Sequence, residues 1–192
     1  MKAIQRIGIF LYILLIVYIT QQQFEKIFQM QKIQEKASIM KVQKKFQLFP
    51  MRLIISKIHV NAKVDQLGLT ATGAMEVPKN TIDAGWFKYG VQPGSIGSSV
   101  IAGHFDGENG TAGVFANLNK LRKGDSITIE YANGASYVFI VVQSRIFNLG
   151  YADDVFRGAN SARLNLITCD GVWNGAIKSY TKRLVVFADI LK

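Results

Sequence analysis

Leu164-Asn165-Leu166-Ile167-Thr168-Cys169 is an apolar, β-rich stretch that ends at the only cysteine of the chain. After thirteen intervening residues a second such run begins, Arg183-Leu184-Val185-Val186-Phe187, and a third, Ser99-Val100-Ile101-Ala102-Gly103-His104, lies upstream. Short runs rich in β-branched residues and bounded by Gly, Asn and Asp are typical of strands. The three runs therefore predict a sheet with a thiol, a guanidinium and an imidazole at its strand ends.

The same pattern continues through the rest of the chain from Arg52 onward. We predict strands at 52–59, 62–67, 74–76, 98–103, 125–131, 136–147, 162–169 and 183–191. Helical spacing is scarce, with one short helix predicted at Val114–Leu121 and a helical turn at Asp153–Arg157. Many short strands with little helix predict an all-β fold, a closed barrel of about eight strands with short helices.

Two connections have specific expectations. Asn133-Gly134 lies between two predicted strands and predicts a hairpin with a type I′ turn, which needs positive φ at both residues. Asp170–Lys182 is predicted to be a long loop, and loops of that length usually have a functional role. Trp173 within it is placed to cover an extended ligand.

Length, composition and charge limit the possible functions. The 192 residues allow one ordinary domain plus appendages, and a single Cys excludes an intrachain disulfide or a multi-cysteine zinc site. The net charge is +10, of which +6 falls within residues 1–51. No basic stripe interleaved with aromatic residues and no helix-turn-helix motif is present, so we expect no nucleic-acid partner. An anionic membrane or envelope polymer fits the charge better.

The N-terminal quarter predicts a membrane anchor followed by a stalk. Lys2 and Arg6 precede an uncharged apolar run from Ile7 to Ile19, a pattern of either a cleaved secretory signal peptide or an uncleaved anchor. No small-residue cleavage site follows the run, which favours the anchor. We predict an uncleaved transmembrane segment over 1–23, with the N-terminus inside and the following domain outside the cell. Residues 24–51 lack Gly, have loosely helical apolar spacing and predict a helical stalk or linker that Pro50 ends. The barrel then spans 52–192.

The strand-end side chains form a possible catalytic site. Alternation places Cys169 with Ile167 and Asn165 on one face of its strand, and Arg183 with Val185 and Phe187 on one face of the next. These two faces mix polar and apolar residues, as the wall of a binding groove does.

Each of the three residue types also has a plain structural role. Cys169 could be a small buried hydrophobe, His104 a turn residue and Arg183 a solvated edge charge. Only the combination favours catalysis, with a thiolate nucleophile, an imidazole acid/base and a guanidinium that stabilises developing negative charge. His59, the other histidine, lies within a predicted strand, and we interpret it as a surface or packing residue.

Taken together, these segments resemble the sortases, membrane-anchored cysteine transpeptidases of the bacterial envelope. Asn165–Cys169 resembles the family's Thr-Leu-x-Thr-Cys strand end, with Asn165 in place of the first Thr. Ala102-Gly103-His104 matches the segment of the catalytic histidine, and Arg183 follows on the next strand as the family's arginine does. Gly113-Val114-Phe115 and Leu121–Ile127 resemble the family's helix and following strand, so the likeness covers roughly 52–192.

The resemblance implies roles for these residues. Cys169 would be the nucleophile, His104 the general acid/base and Arg183 the stabiliser of substrate and oxyanion. The enzyme would cleave a Leu-Pro-x-Thr-Gly-like sorting signal of a secreted protein through a thioester. It would pass the acyl group to an amine, either of a peptidoglycan precursor or of a pilin lysine.

Further expectations concern substrate contacts, cofactors and subclass. We predict that Ile167, Thr168, Trp173 and Val185 contact the substrate. No cofactor is expected, and a calcium site is disfavoured because 88–99 contains no Asp or Glu. Residues 21–51 contain no Asp-Pro-aromatic signature of a lid, and the Asp83–Phe87 segment resembles class E or F members.

Two rival functions share these features. A cysteine hydrolase would use the same residues and release the acyl group to water, so the sequence does not separate it from a transpeptidase. A tethered β-barrel that binds peptides or polymers without catalysis would keep Cys169 buried and unreactive. The L,D-transpeptidases are set aside because Thr168 precedes Cys169, whereas that family needs a Ser-His-Gly-Cys-like motif.

Overall fold

The computed structural model describes residues 16, 18–38, 49–107, 110–150 and 155–191. The chain divides into two units, Met1–Leu48 and Phe49–Lys192. In the first, helix α1 covers 18–38 and exposes every side chain along it. Helix α1 includes residues 24–38 of the segment predicted to be a stalk, and the stalk itself stays a prediction.

Little of the predicted anchor falls within the described part of the chain. Residues 1–15 and 17, and residues 39–48 of the stalk, lie outside it. Among the described residues, no helix has both the length and the apolar composition that crossing a bilayer requires.

The second unit is a closed barrel of eight strands. The strands are β1 (Pro50–Ile55), β2 (Val60–Leu67), β3 (Ala84–Phe87), β4 (Gly97–Gly103), β5 (Ser126–Tyr131), β6 (Ser136–Asn148), β7 (Ala162–Asn174) and β8 (Ser179–Ile190). Their order around the barrel is β1-β2-β3-β4-β7-β8-β6-β5, and β5 pairs with β1 to close it. The β2–β3 and β4–β7 pairs are parallel, and the other six are antiparallel. The all-β barrel predicted from the sequence is thus confirmed.

Alternating apolar residues fill the interior of the barrel. On β7 and β8 the inward positions are Leu164, Leu166, Val186 and Ala188, none of which has any exposed surface. A second buried cluster lies on the opposite face of the same strands and contains Val100, Val155, Val185 and Phe187. Because both faces of the β7–β8 pair are covered there, these strands are nearly continuous apolar runs.

One strand prediction was wrong, and one observed strand was missed. Residues 74–76 form only an isolated β-bridge, Leu69 with Met75, and β3 was not predicted. β3 has four residues, and a Cβ on its Gly85 would overlap the Leu67 side chain on the neighbouring strand. A short strand that needs glycine for close packing carries little periodic signal.

The predicted helix and the end of the first strand also need correction. Only Leu118–Lys120 within the predicted helix 114–121 is helical, as a short 3-10 segment. Strand β1 ends at Ile55 instead of continuing to His59, and a 3-10 turn follows at Ser56–Ile58. His59 ends that turn with a φ of 57° and is exposed. Of the predicted helical turn at 153–157, residues 153 and 154 lie outside the described residues, and of the other three only residue 155 is helical.

The predicted hairpin between β5 and β6 is confirmed, but its turn type was wrong. Gly134 has a φ of 82°, whereas Asn133 is not among the residues with positive φ. Asn133 instead accepts a hydrogen bond from the Ala135 N–H through its side-chain Oδ1, at 3.0 Å. A type I′ turn needs positive φ at both central positions, so this turn is of another type.

Candidate active site

Cys169 and Arg183 are direct cross-strand neighbours. β7 and β8 run antiparallel, with Cys169 opposite Arg183 and Ile167 opposite Val185. Opposed residues of an antiparallel pair project from the same face, so the thiol and the guanidinium share one face. Cys169 is half-buried, whereas Asn165 and Phe187, the second pair along the same face, are buried. The face that we predicted to be a groove wall is therefore open only at its Cys169 end, because Val155 and its neighbours cover the rest.

The connection after Cys169 is not the predicted thirteen-residue loop. β7 continues to Asn174 and β8 begins at Ser179, with Trp173 opposite Tyr180. The pairing shifts register between Asp170 and Trp173, and Gly171 there has a φ of 82°. A glycine with positive φ accommodates a bulge, so the strand bends and continues where the sequence suggested that it ends. Trp173 thus lies on a strand and is 55% exposed.

His104 is held at the same edge of the sheet as Cys169. β4 pairs with β7 in parallel, with Ala102 opposite Ile167, and the Thr168 hydroxyl donates to the Gly103 carbonyl at 2.9 Å. Extending that register by two residues brings His104 level with Cys169. The backbone register therefore places His104, just after β4, at the same edge of the sheet as the cross-strand pair Cys169 and Arg183.

Gly103 is required by the packing behind His104. A Cβ at this position would lie 2.5 Å from the Phe115 ring and 2.6 Å from a Val114 methyl carbon. The Phe115 N–H also donates to the His104 carbonyl at 2.8 Å. The absence of a side chain at Gly103 thus lets residues 114 and 115 pack against the backbone of His104.

The His104 ring is bound by a segment that sequence analysis did not single out. Its Nε2 lies 2.8 Å from the Pro78 carbonyl oxygen. A carbonyl oxygen only accepts, so Nε2 carries the hydrogen and donates it. In the neutral ring, Nδ1 is then the atom that can take a proton.

The Arg183 guanidinium is fixed by its own strand. Nη1 donates to the backbone carbonyls of Tyr180 at 3.0 Å and of Lys182 at 2.8 Å, and Nη2 donates to Ser179 Oγ at 3.0 Å. A guanidinium has five N–H donors, so these three bonds leave two. Those two donors can bind a substrate carbonyl or an oxyanion without loss of the bonds that orient the group.

The groups around Cys169 have opposite effects on the pKa of its thiol. Burial raises the pKa of the Cys169 thiol, the Arg183 guanidinium lowers it, and the Asp106 carboxylate raises it again. The net shift of the pKa is upward. The neutral thiol therefore predominates at neutral pH, and attack on a carbonyl needs a base to remove its proton.

The four residues predicted to contact substrate lie in different surroundings. Trp173 is exposed, and its ring meets that of Tyr180 at 5.4 Å between centroids. Ile167 is half-buried beside the second cluster. Thr168 is 3% exposed and Val185 has no exposed surface, so neither is reachable in this arrangement. All four assignments stay predictions. Across the described ranges, no three His, Cys, Asp or Glu side chains group as metal ligands.

Tyr180 and Asp106 are site residues that sequence analysis did not assign. The Tyr180 hydroxyl donates to Asp106 Oδ2 at 2.7 Å across 74 positions of sequence. A contact between residues so far apart has no local signal. The one sequence feature that relates them to the site is their position: Asp106 lies two residues after His104, and Tyr180 lies three residues before Arg183.

A closed barrel with a half-buried cysteine beside an arginine, and a histidine at the same edge, has the residue types that acyl transfer through a thioester needs. Residues 53–191 match the family model described as the Sortase domain. The chain belongs to the sortase family and is a cysteine transpeptidase that acts on sorting signals. A search of curated protein sequences found no significant match.

Solved sortase structures share the fold. Sortase C-1 from Actinomyces oris has a TM-score of 0.59 and 22% identity, covering 73% of this chain and 73% of that one. A Clostridium perfringens sortase D5 transpeptidase has a TM-score of 0.57 and 21% identity, covering 75% and 79%. Sortase A of Listeria monocytogenes has a TM-score of 0.54 and 21% identity, covering 73% and 86%.

Proposed function

We propose that Cys169 is the nucleophile of this sortase, His104 its general acid/base and Arg183 the group that stabilises the oxyanion. The observation that carries this proposal is the cross-strand pairing of Cys169 with Arg183 at the edge where β4 delivers His104. Outside this edge, the shared face of β7 and β8 is covered by apolar side chains. A peptide carbonyl can therefore meet the thiol and the guanidinium together only here.

The first half-reaction forms a thioester. His104 Nδ1 takes the Cys169 proton as the sulfur attacks the carbonyl carbon of the scissile peptide, and the oxyanion accepts hydrogen bonds from the free Arg183 donors. The carbon–nitrogen bond then breaks, and the leaving amine takes the proton back from His104. The Nε2–H bond to the Pro78 carbonyl keeps Nδ1 as the proton-exchanging atom throughout.

The second half-reaction transfers the acyl group to an amine. The incoming amine gives a proton to His104 as its nitrogen attacks the thioester carbonyl, and the sulfur leaves and is reprotonated. Water would complete the same cycle as hydrolysis. Because the pKa of the Cys169 thiol is raised, its sulfur leaves as the neutral thiol, with the proton that His104 took from the amine.

The substrate that we propose is a Leu-Pro-x-Thr-Gly-like sorting signal near the C-terminus of a secreted protein. The acceptor is an amine of a peptidoglycan precursor or of a pilin lysine. Trp173 is the exposed aromatic residue nearest to this edge along β7, and it offers a flat apolar surface to an extended peptide. Ile167 would line the half-buried side of the same path.

We infer attachment to the cell membrane through residues 1–23, with the N-terminus inside and the barrel outside. Support comes from the apolar run Ile7–Ile19 behind Lys2 and Arg6. The basic N-terminal quarter would also favour an anionic membrane surface. Fractionation of cells with protease protection of the barrel tests this arrangement.

We also infer a class E or F subtype from the Asp83–Phe87 segment, which contains strand β3. The solved structures named above are sortases A, C and D, and their identities near 20% carry the fold alone. The preferred sorting motif decides the subtype.

The experiment is product analysis with a library of Leu-Pro-x-Thr-Gly variants, each with and without triglycine and a lysine peptide as amines. We expect amine-linked product from wild type and none from Cys169→Ala. Cleavage that is indifferent to any amine would establish a hydrolase instead. Absence of Cys169-dependent cleavage across the library would contradict the proposed substrate.

A further inference from the structure

Tyr180 contacts both flanks of the site. It lies in β8 three residues before Arg183, and its backbone carbonyl accepts a hydrogen bond from Arg183 Nη1 at 3.0 Å. Its hydroxyl donates to Asp106 Oδ2 at 2.7 Å. A single residue is thus bonded to the arginine and to the segment that follows the histidine.

The Tyr180 ring is held from two sides. Phe105 meets it edge to face, with centroids 5.8 Å apart and planes at 70°. Trp173 meets it in the same manner, at 5.4 Å and 71°. Edge-to-face pairs at these separations are favourable beyond the burial of their area. The ring therefore connects the outer end of β7 with the residue next to His104.

The segment that carries Asp106 is joined directly to the histidine backbone. Asp106 forms a β-bridge with Ala112, and the Gly113 N–H donates to the Phe105 carbonyl at 3.0 Å. The Phe115 N–H then donates to the His104 carbonyl at 2.8 Å. Because residues 104–106 are bonded to residues 112–115 in this way, a displacement of Asp106 would also move the His104 backbone.

The pKa of the Cys169 thiol depends on where the Asp106 carboxylate lies, because that group is charged. The carboxylate raises the pKa of Cys169, and its hydrogen bond raises the pKa of Tyr180. Tyr180 therefore stays protonated at neutral pH and remains a donor that engages this carboxylate. If the bond were lost, the carboxylate would be free to move relative to Cys169, Arg183 and His104.

We propose that Tyr180 is a positioning residue, which holds the Arg183 guanidinium and the segment after His104 in one arrangement around Cys169 through its bond to Asp106. The inference rests on the proposed function of these three residues. The inference adds that the outer part of the β7–β8 hairpin and the segment after β4 together affect the rate of the reaction. Tyr180 itself need not touch the substrate.

The test is a double-mutant cycle on the full-length chain with Tyr180→Phe, Asp106→Ala and the double variant. Tyr180→Phe keeps the ring contacts and removes only the hydroxyl. Tyr89→Phe is the matched control, because Tyr89 is exposed and lies near a different part of the barrel, beside Phe87. The assay uses the peptide that the library identifies with triglycine, and it measures kcat, KM and thermal melting.

We expect Tyr180→Phe to lower kcat about tenfold, the size of one hydrogen bond to a charged group, with KM and melting temperature unchanged. Asp106→Ala should have the same effect, and the double variant should be no slower than either single variant. Tyr89→Phe should match wild type.

Wild-type kcat in Tyr180→Phe would overturn the inference, as would losses that multiply in the double variant. A lowered melting temperature in Tyr180→Phe that accounts for the lost rate would also overturn it, since the role would then be structural. An inactive wild type, or activity that persists in Cys169→Ala, would instead contradict the proposed function. The two failures are therefore distinguishable in one assay.

Discussion

The two halves of the β7–β8 hairpin differ in what determines their position. In the inner half, residues 162–168 and 184–190, apolar clusters cover both faces, and Leu166 and Val185 have no exposed surface. In the outer half, residues 170–174 and 179–182, side chains lie near the surface, and Val172 is 72% exposed. Burial fixes the inner half, whereas a few ring contacts and hydrogen bonds fix the outer half.

Cys169 and Arg183 lie at the boundary between these halves. On the inner side of the boundary the buried core holds these two residues in place, and on the outer side a peptide can reach them. It also explains the raised pKa of Cys169, because the nearby core withdraws the thiol from water. We expect substitutions at the boundary to abolish activity, those in the inner half to lower stability, and those in the outer half to modulate the chemistry.

The largest expected effect is at the histidine that meets this boundary from β4. His104→Asn should lower kcat about 10³-fold, because it removes the ring that we propose as the general acid/base. His59→Asn is the matched control, since His59 is exposed, has positive φ and Asn tolerates that conformation. Steady-state kinetics of both variants make the comparison. Equal activity of the two would show that the boundary does not hold the acid/base.

Arg183→Lys should reduce kcat about 10²-fold, as expected when one fixed donor to an oxyanion is lost. Lysine keeps the charge but lacks the planar fork that is bonded to Tyr180 and Ser179. Arg52→Lys, at an exposed position on β1, should leave kcat within experimental error of wild type. Retention of full activity in Arg183→Lys would mean that charge alone suffices.

Two valines on the hairpin compare the halves directly. Val185→Ala should lower the free energy of unfolding by about 2 kcal/mol, because it leaves a cavity in a fully buried cluster. Val172→Ala should change it by less than about 0.5 kcal/mol. Urea denaturation of the two variants gives the difference, and similar values would remove the distinction between the halves.

The smallest expected effect is a pH shift from the outer half. Asp106→Asn keeps an acceptor for the Tyr180 hydroxyl and removes a negative charge that raises the pKa of Cys169. With Arg183 still lowering that pKa, the thiolate should form at lower pH than in wild type. The pH profile of iodoacetamide alkylation at Cys169 measures this, and a profile shifted upward would contradict the assigned electrostatics.

The inner half was predictable from sequence because alternation reports burial directly. Leu164 and Leu166 on one face and Cys169 on the other follow from the pattern of β7 alone. Asn133-Gly134 likewise predicted a hairpin, although the type of turn depends on backbone angles that the dipeptide does not determine.

The outer half was not predictable for physical reasons. The pattern Asp170-Gly171 resembles a strand end, and only the bulge at Gly171 allows β7 to continue. The burial of Val185 depends on Val155, from a connection that the strand pattern does not position. The Tyr180–Asp106 bond joins residues far apart in sequence, which come close because β7 pairs with both β4 and β8.

The most direct test of the account is to locate the acyl intermediate. Full-length enzyme would be mixed with the sorting peptide that the library identifies, quenched in acid without an amine, and analysed by intact mass and peptide mapping. We predict a thioester on Cys169 in wild type and its loss in Cys169→Ala and Arg183→Ala. A turnover-competent enzyme that carries no adduct, or an adduct at any other residue, would contradict the account.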